Sequence, residues 1–171
     1  MALFLPSAAV DKVTEITPQM VRSMKACALI LDVDNTLAEN GSQVPLEGAL
    51  DWVKFMRAQD VKIIILSNNH AARVAPFAAQ FELPFLSMAM KPLPFGYHRA
   101  ARELGVRPRD AVVVGDQIFT DVLGANLAFM KSILLVPVKG EESASFIVRR
   151  RLEKPLRRYI VSSRRGRKYF E

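Results

Sequence analysis

Short apolar runs rich in β-branched residues alternate along this chain with longer stretches in which apolar residues recur at helical spacing. This alternation is typical of a parallel sheet whose strands are joined by crossover helices. Strands are predicted over residues 27–33, 61–66, 85–88, 111–114 and 132–136. Helices are predicted over residues 46–58, 71–80, 95–104 and 120–128. Because the strands are apolar almost throughout, we predict a doubly wound, Rossmann-like sheet of five parallel strands with helices on both faces.

The charge of the chain is concentrated at one end. Residues 1–138 contain 13 basic and 13 acidic side chains, whereas residues 139–171 contain 11 basic and 4 acidic ones. We therefore predict one folded core over 1–138 and a basic C-terminal segment over 139–171 that packs on this core or extends from it. Such an excess indicates an anionic partner, either nucleic acid or lipid, unless the segment is merely solvated.

Features that would place the chain in a membrane or outside the cell are missing from the sequence. No apolar run approaches the roughly 20 residues that span a bilayer, and the first ten residues lack the basic start and the cleavage site of a secretory signal. Cys27 has no second cysteine to pair with, and we expect it to be a buried thiol. We expect a cytoplasmic protein that can associate peripherally with the inner surface of the membrane.

Polar residues follow the predicted strands at the points where ligands bind in parallel sheets. Asp32 and Asp34 follow the first strand, Ser67 the second and Asp116 the fourth. Buried carboxylates need a compensating cation, and Mg²⁺ suits a group of carboxylate oxygens. One cysteine and two separated histidines argue against a zinc centre. Taken alone, however, a D-x-D pair is also typical of a turn.

The order of these segments is more specific than any one of them. The chain contains D-V-D-N-T, then Ser67, then Lys91, then G-D-Q-I-F-T-D. In this order they resemble the four motifs of the haloacid dehalogenase superfamily of aspartate-nucleophile phosphatases. The segments I-L-S-N-N, K-P-L, G-D-Q-I-F-T-D-V-L-G-A-N and R-R-R-L-E-K-P-L-R-R are similar to those of the YqeG-type phosphatases of subfamily IIIA. The resemblance extends over almost the whole chain.

This resemblance implies a Mg²⁺-dependent phosphomonoester hydrolase that works through an aspartyl-phosphate. Asp32 would be the nucleophile. Asp34 would act first as general acid and then as general base. The resemblance also implies that Mg²⁺ is held by the carboxylates of Asp32 and Asp116 and by the main-chain carbonyl of Asp34, where it would offset charge on the phosphoryl oxygens.

A second set of residues would bind the phosphate. The resemblance assigns this role to Ser67 and Lys91, with Asn68 beside them. Ser67 could instead cap the following helix, and Lys91 could be an ordinary surface lysine. Supporting roles around the site are expected for Thr36, Gly115 and Asp121.

The spacing of the motifs also bears on the substrate. Residues 36–61 and 67–91 leave room for about one helix each, so no cap domain is expected to cover the site. An open site favours a large or surface-bound phosphomonoester over a small metabolite. Because the resembled branch includes phosphatidylglycerophosphate phosphatases of mitochondria and plastids, that lipid is the leading substrate, and a role in phospholipid metabolism is implied.

The composition of the basic segment fits this substrate. Its basic side chains stand among apolar ones, as in segments that lie on anionic lipid. The cations in question are Arg149, Arg150, Arg151, Lys154, Arg157 and Arg158. Three alternatives remain open: a nucleic-acid end phosphatase, a small sugar-phosphate phosphatase, and a ribosome- or RNA-associated binding protein that has kept this fold.

Overall fold

The computed structural model describes residues 2–135 and, beyond them, only Pro155. Within this part of the chain the strands are β1 Ala8–Val10, β2 Ala28–Leu31, β3 Lys62–Leu66, β4 Phe85–Leu86, β5 Ala111–Gly115 and β6 Lys131–Leu135. The helices are α1 Pro18–Ser23, α2 Ala49–Ala58, α3 Ala71–Gln80, α4 Pro94–Glu103 and α5 Leu123–Leu127. A π-helical turn, Ile118–Val122, runs directly into α5.

The strands form one parallel sheet in the order β1-β6-β5-β2-β3-β4. The predicted α/β fold is confirmed, but the described residues contain six strands where five were predicted. The missed strand, β1, pairs with β6 at the sheet edge, with Ala8 opposite Ile133. Its three residues include two alanines, which favour strands only weakly, so its conformation depends on the hydrogen bonds of β6 and not on a local pattern.

Alternate residues of the central strand β2 enter two separate cores. Leu29 and Leu31 pack into the larger core, together with apolar residues of α1, α2 and α3. Ala28 and Ile30 pack on the opposite face, where residues of α4 and α5 cover the sheet. Helices on both faces explain why the strands are apolar at nearly every position.

Two predictions about single elements need correction. Cys27, expected to be buried, is exposed because β2 begins one residue later. The short helix α1 was not among the predicted helices. It begins at Pro18, a favoured residue for a first turn, and is capped by Thr17, whose hydroxyl accepts a hydrogen bond from the N–H of Met20 at 3.1 Å.

The basic C-terminal segment predicted over 139–171 lies outside the described residues, apart from Pro155. The six cations assigned to it, and the partner expected for them, therefore remain predictions. In the part of the chain that the structure describes, no helix combines the length and apolarity needed to cross a bilayer.

Candidate active site

The centre of the site is a buried lysine between two aspartates. The ammonium of Lys91 lies 2.6 Å from Oδ1 of Asp32 and 2.7 Å from Oδ1 of Asp121. The exposed fractions of these side chains are 5% for Lys91, 7% for Asp32 and 2% for Asp121. A lysine held in this way is not a surface residue, so the structure removes the alternative left open for Lys91.

Three loops bring these residues together because β5, β2 and β3 are neighbours in the sheet. Asp32 directly follows β2, and its N–H donates to the carbonyl of Val114 in β5 at 2.9 Å. Lys91 lies on the loop after β4, which is held against the end of β3 by a hydrogen bond from the N–H of Ala89 to the carbonyl of Ser67 at 3.0 Å. The carboxyl ends of parallel strands lie at the same edge of the sheet, and the candidate site was predicted from the sequence at that edge.

Asp121 reaches the cluster from the π-helical turn after β5. Its N–H donates to the carbonyl of Gln117 at 2.9 Å, and its own Oδ2 accepts from the N–H of Gln117 at 3.2 Å. The carboxylate lies directly against Gly115, where an added Cβ would be 2.3 Å from Cγ of Asp121. Glycine at 115 thus provides the close approach that this carboxylate requires.

Asp32, Asp116 and Asp121 together form a group that could hold a metal ion. One carboxylate oxygen from each lies within 4.8 Å of the others, and all three residues are buried. Asp116 also accepts a hydrogen bond from Nδ2 of Asn35 at 3.3 Å. Three carboxylates stand beside one lysine in a buried cluster, so acidic groups outnumber cations, and this donor set suits a divalent cation with a preference for oxygen.

The electrostatics of the cluster reflect this excess of acidic groups. Burial raises the pKa of Asp32 from 3.8 to about 7, because the opposing effect of Lys91 is not enough to offset desolvation and the repulsion from Asp121 and Asp34. Burial alone would lower the pKa of Lys91, but Asp121 and Asp32 outweigh it and hold that pKa well above its usual value. Lys91 is therefore a permanent cation at this site.

Asp34 faces a different cation from Asp32. Its Oδ1 lies 2.5 Å from a guanidinium nitrogen of Arg73, and its Oδ2 accepts from Nδ2 of Asn69 at 2.9 Å. The N–H of Gly41 donates to Oδ1 as well, at 3.0 Å. The side chain of Asp34 is 16% exposed, so it lies nearer to solvent than Asp32. The metal role predicted for Asp34 used its main-chain carbonyl and stays a prediction.

Ser67 and Asn68, predicted to bind phosphate, have definite partners in the protein. The buried hydroxyl of Ser67 accepts from the N–H of Asn69 at 3.1 Å, which leaves its own proton available to another acceptor. The amide of Asn68 accepts from the N–H of Lys91 at 2.7 Å and donates to the carbonyl of Lys91 at 3.2 Å. Asn68 thus fixes the main chain that carries Lys91, and its contact with phosphate stays a prediction.

Thr36, predicted as a supporting residue, is fully buried in the turn after β2. Its N–H donates to the carbonyl of Val33 at 3.2 Å, while its hydroxyl has no hydrogen-bond partner among the described residues. The main chain of Thr36 therefore shapes the loop that carries Asp32 and Asp34.

Three polar residues of the site were not singled out from the sequence: Asn35, Asn69 and Arg73. Asn35 and Asn69 stand within the segments D-V-D-N-T and I-L-S-N-N, so a stricter reading of those segments could have found them. Arg73 carries no such signal. It belongs to the first turn of α3 and becomes part of the site only because that turn lies beside Asp34.

Little of the described chain is available to cover the site. Between Ser67 and Lys91 it forms only α3, β4 and their connecting loops. Between Thr36 and Val61 it forms α2 and a loop of isolated bridges that pair Ala38 with Asp34 and Pro45. The predicted lack of a cap domain agrees with these described segments.

Comparisons with known proteins agree with this geometry. A family model described as haloacid dehalogenase-like hydrolase matches residues 25–128. The probable phosphatase YqeG of Bacillus subtilis (strain 168) is 34% identical over 160 residues, which cover 94% of this chain and 91% of that protein.

Solved structures share the fold at low sequence identity. The 4-nitrophenylphosphatase of Thermotoga maritima superposes with a TM-score of 0.59 at 12% identity, over 76% of this chain and 92% of its own. NagD from E. coli K-12 superposes with a TM-score of 0.57 at 13% identity, over 68% of this chain and 90% of its own. At such identities these likenesses concern the fold alone.

Proposed function

The chain belongs to the haloacid dehalogenase-like hydrolases, and from that premise we propose that it is a Mg²⁺-dependent phosphomonoester hydrolase whose nucleophile is Asp32. We further propose that its substrate is large or membrane-bound, with phosphatidylglycerophosphate as the leading candidate. The observation that carries the proposal is the buried contact of Lys91 with Asp32 and Asp121, beside Asp116. A cation fixed against a buried carboxylate is costly to build and is well suited to bind a phosphoryl group.

The donor set fits Mg²⁺ because it consists of three buried carboxylates beside a single lysine. Asp32, Asp116 and Asp121 are the residues that would hold the ion. When bound, Mg²⁺ would neutralise the carboxylates and stabilise negative charge on the phosphoryl oxygens. The carboxylates of this group are close enough together to hold one ion without a large rearrangement.

In the proposed reaction, Asp32 attacks a phosphate bound by Lys91. An oxygen of its carboxylate forms the bond to phosphorus, and the bond from phosphorus to the alcohol oxygen breaks with its electron pair on that oxygen. Lys91, whose ammonium stays charged, binds the phosphoryl oxygens as negative charge moves through them. The Ser67 hydroxyl, which keeps its own proton for donation, is the second donor to these oxygens.

Asp34 is the general acid and then the general base of the proposed reaction. It gives a proton to the departing alcohol oxygen and then takes one from the water that attacks the phosphorus of the aspartyl-phosphate, which restores the Asp32 carboxylate and releases phosphate. Asn69, the N–H of Gly41 and Arg73 hold the Asp34 carboxylate at the mouth of the site. Its greater exposure suits a group that must meet both an alcohol and a water.

The open site and the charge distribution support a lipid substrate. The described segments contain no cap that would enclose a small metabolite, and the excess of basic residues after 138 favours an anionic surface. A phosphate that projects from a membrane can reach an open site at a sheet edge, whereas enclosure would exclude it.

The proposal is tested by phosphate release in Mg²⁺ and in EDTA. The substrates are phosphatidylglycerophosphate in mixed micelles, a 5′-phosphorylated oligonucleotide, a sugar phosphate and an aryl phosphate. Asp32→Asn should abolish Mg²⁺-dependent release, whereas Asp51→Asn, at an exposed position of α2, should leave it unchanged. Release that survives in Asp32→Asn would exclude the covalent mechanism. A preference for the oligonucleotide or the sugar phosphate would replace the lipid.

A further inference from the structure

Large apolar side chains are exposed on the loop that carries Lys91. Met88 is 61% exposed, Met90 62%, Leu93 47% and Phe95 70%. We call residues 88–95, which comprise this loop and the first two residues of α4, the apolar loop. Several large apolar side chains left in water within one short segment beside a candidate site are typical of an interaction surface.

The conformation of the apolar loop holds these side chains outward. Ala89 and the side chain of Lys91 are buried, while Met88 and Met90, which alternate with them, are exposed. Both methionines have positive φ angles, 48° and 53°, a backbone conformation that residues other than glycine rarely adopt. Hydrogen bonds from the N–H of Met88 to the carbonyl of Asn69 at 2.9 Å, and from that of Leu93 to Met90 at 2.9 Å, maintain it. The backbone conformation of the loop therefore keeps both methionine side chains exposed.

The apolar loop also presents no charge to its surroundings. In the sequence from Leu83 to Tyr97, Lys91 is the single charged residue, and its ammonium is bound inside the site by Asp32 and Asp121. A surface without charge can enter the apolar boundary of a bilayer at little desolvation cost.

The sequence also supplies positive charge. The residues beyond 138 carry the whole excess of positive charge of the chain. An anionic membrane surface complements this charge, and the uncharged apolar loop complements the acyl region below the headgroups.

From these observations we propose that the apolar loop is a membrane-docking element, which enters the interfacial layer of an anionic bilayer and presents the Lys91 site to phosphates at the surface. The proposal rests on the proposed function for its substrate, and it adds the surface by which the enzyme meets that substrate. The loop supplies apolar contact, and the basic residues supply long-range attraction.

The test compares two sets of substitutions in the full chain. The docking variant is Met88→Asn, Met90→Asn and Phe95→Gln; asparagine tolerates positive φ, and glutamine suits the first turn of α4. The control is Phe129→Asn and Phe55→Gln, since Phe129 is 84% exposed with a φ of 58° and Phe55 is 53% exposed on α2. Phe129 precedes β6 and so lies near the amino ends of the strands, whereas Lys91 lies at their carboxyl ends. The control therefore removes a comparable apolar surface elsewhere.

Binding is measured by cosedimentation with vesicles of phosphatidylglycerol and phosphatidylcholine, at low and at high salt. High salt screens the basic residues and leaves the apolar contribution. The docking variant should bind at least about tenfold more weakly than the wild type at both salt concentrations, whereas the control should bind like the wild type. Hydrolysis of a soluble aryl phosphate should be the same in all three proteins.

Any of four results would overturn the proposal. The first three are no binding of the wild type to these vesicles, equal binding by the docking variant, and equal weakening of binding in the control. The fourth is a wild-type dimer that the docking variant loses while it still binds vesicles, because this result would assign the loop to self-association. The aryl phosphate assay distinguishes the two proposals, since a wild type that binds vesicles without hydrolysing any phosphomonoester would refute the proposed function and leave the docking surface standing.

Discussion

The carboxylate of Asp121 occupies the space that any side chain at position 115 would need, with an ideal Cβ at 115 only 2.3 Å from its Cγ. This contact couples the end of β5 to the position of Lys91, because Asp121 also binds the lysine ammonium at 2.7 Å. The geometry of the buried cluster thus depends on a residue that contributes no functional group of its own.

Gly115→Ala should displace Asp121 and disturb the cluster. We expect a loss of about 1–3 kcal/mol in the free energy of unfolding, as in other overpacked sites, and a fall in Mg²⁺-dependent kcat/KM of roughly a hundredfold. Urea unfolding and phosphate release measure the two effects. Gly105→Asn is the control, because a Cβ at Gly105 would come no closer than 3.8 Å to its nearest neighbour, Nζ of Lys62, and asparagine tolerates its positive φ. Wild-type activity in Gly115→Ala would show that Asp121 need not hold its present position.

Lys91→Met should destabilise the metal-free protein, since it leaves the buried carboxylates without their cation. Removing one partner from a buried ion pair typically costs about 3–5 kcal/mol. Mg²⁺ should therefore raise the Tm of this variant more than that of the wild type, in scans with Mg²⁺ and with EDTA. Lys62→Met, which removes an exposed lysine that donates to the carbonyl of Leu104 at 2.8 Å, is the matched control. Equal Mg²⁺ shifts in all three proteins would contradict the prediction that the ion replaces the charge of Lys91, and no shift in any of them would argue against a metal at the carboxylates.

The stability of the metal-free protein should depend on pH through Asp32. Because burial raises the pKa of Asp32 in the folded protein from 3.8 to about 7, the folded state keeps a proton that the unfolded chain releases between these values. The free energy of unfolding of the wild type should therefore fall relative to that of Asp32→Asn as the pH rises from about 4 to about 7. Urea unfolding in EDTA at pH 5 and pH 8 measures this difference. A difference that stays constant, or grows in favour of the wild type, would contradict the prediction.

Arg73→Ala should affect the reaction more than the fold. The ion pair of Arg73 with Asp34 is partly exposed, with 34% of the arginine side chain accessible, so its loss should cost at most about 1 kcal/mol of stability. Asp34 would lose an orienting partner, and we expect kcat to fall by roughly tenfold for alkyl phosphates and less for aryl phosphates, whose leaving groups need little protonation. Arg99→Ala, at an exposed position of α4, is the control. An equal effect on both substrate types would separate Arg73 from proton transfer.

Much of the candidate site could be predicted from the sequence because its residues belong to strand ends. Asp32, Ser67 and Asp116 directly follow apolar runs, and the order of the motifs added Lys91 and Asp121. Parallel strands deliver such residues to one edge whatever the details of the helices.

Other parts of the molecule left no local pattern. β1 forms through its pairing with β6, and Arg73 joins the site because α3 begins beside Asp34. The partner of each lies far away in the sequence, and neither composition nor periodicity specifies that contact. The exposure of Met88 and Met90 between buried residues likewise could not be predicted, because the sequence there is a continuous apolar run. It depends on the hydrogen bonds that hold the loop against the end of β3.

The hydroxyl of Tyr97, fully buried in α4, donates to the carbonyl of Thr120 at 2.9 Å, and its ring fills the space beside Gly124. The helix that follows the apolar loop is thereby locked to the turn that carries Asp121. Asp34 and Arg73, on the other side of the site, are held by partly exposed contacts. One half of the site is therefore held by buried contacts and the other half by partly exposed ones. In the proposed reaction, the buried half would bind the phosphate and the partly exposed half would receive the leaving alcohol, so variation in the alcohol would fall on the less constrained half.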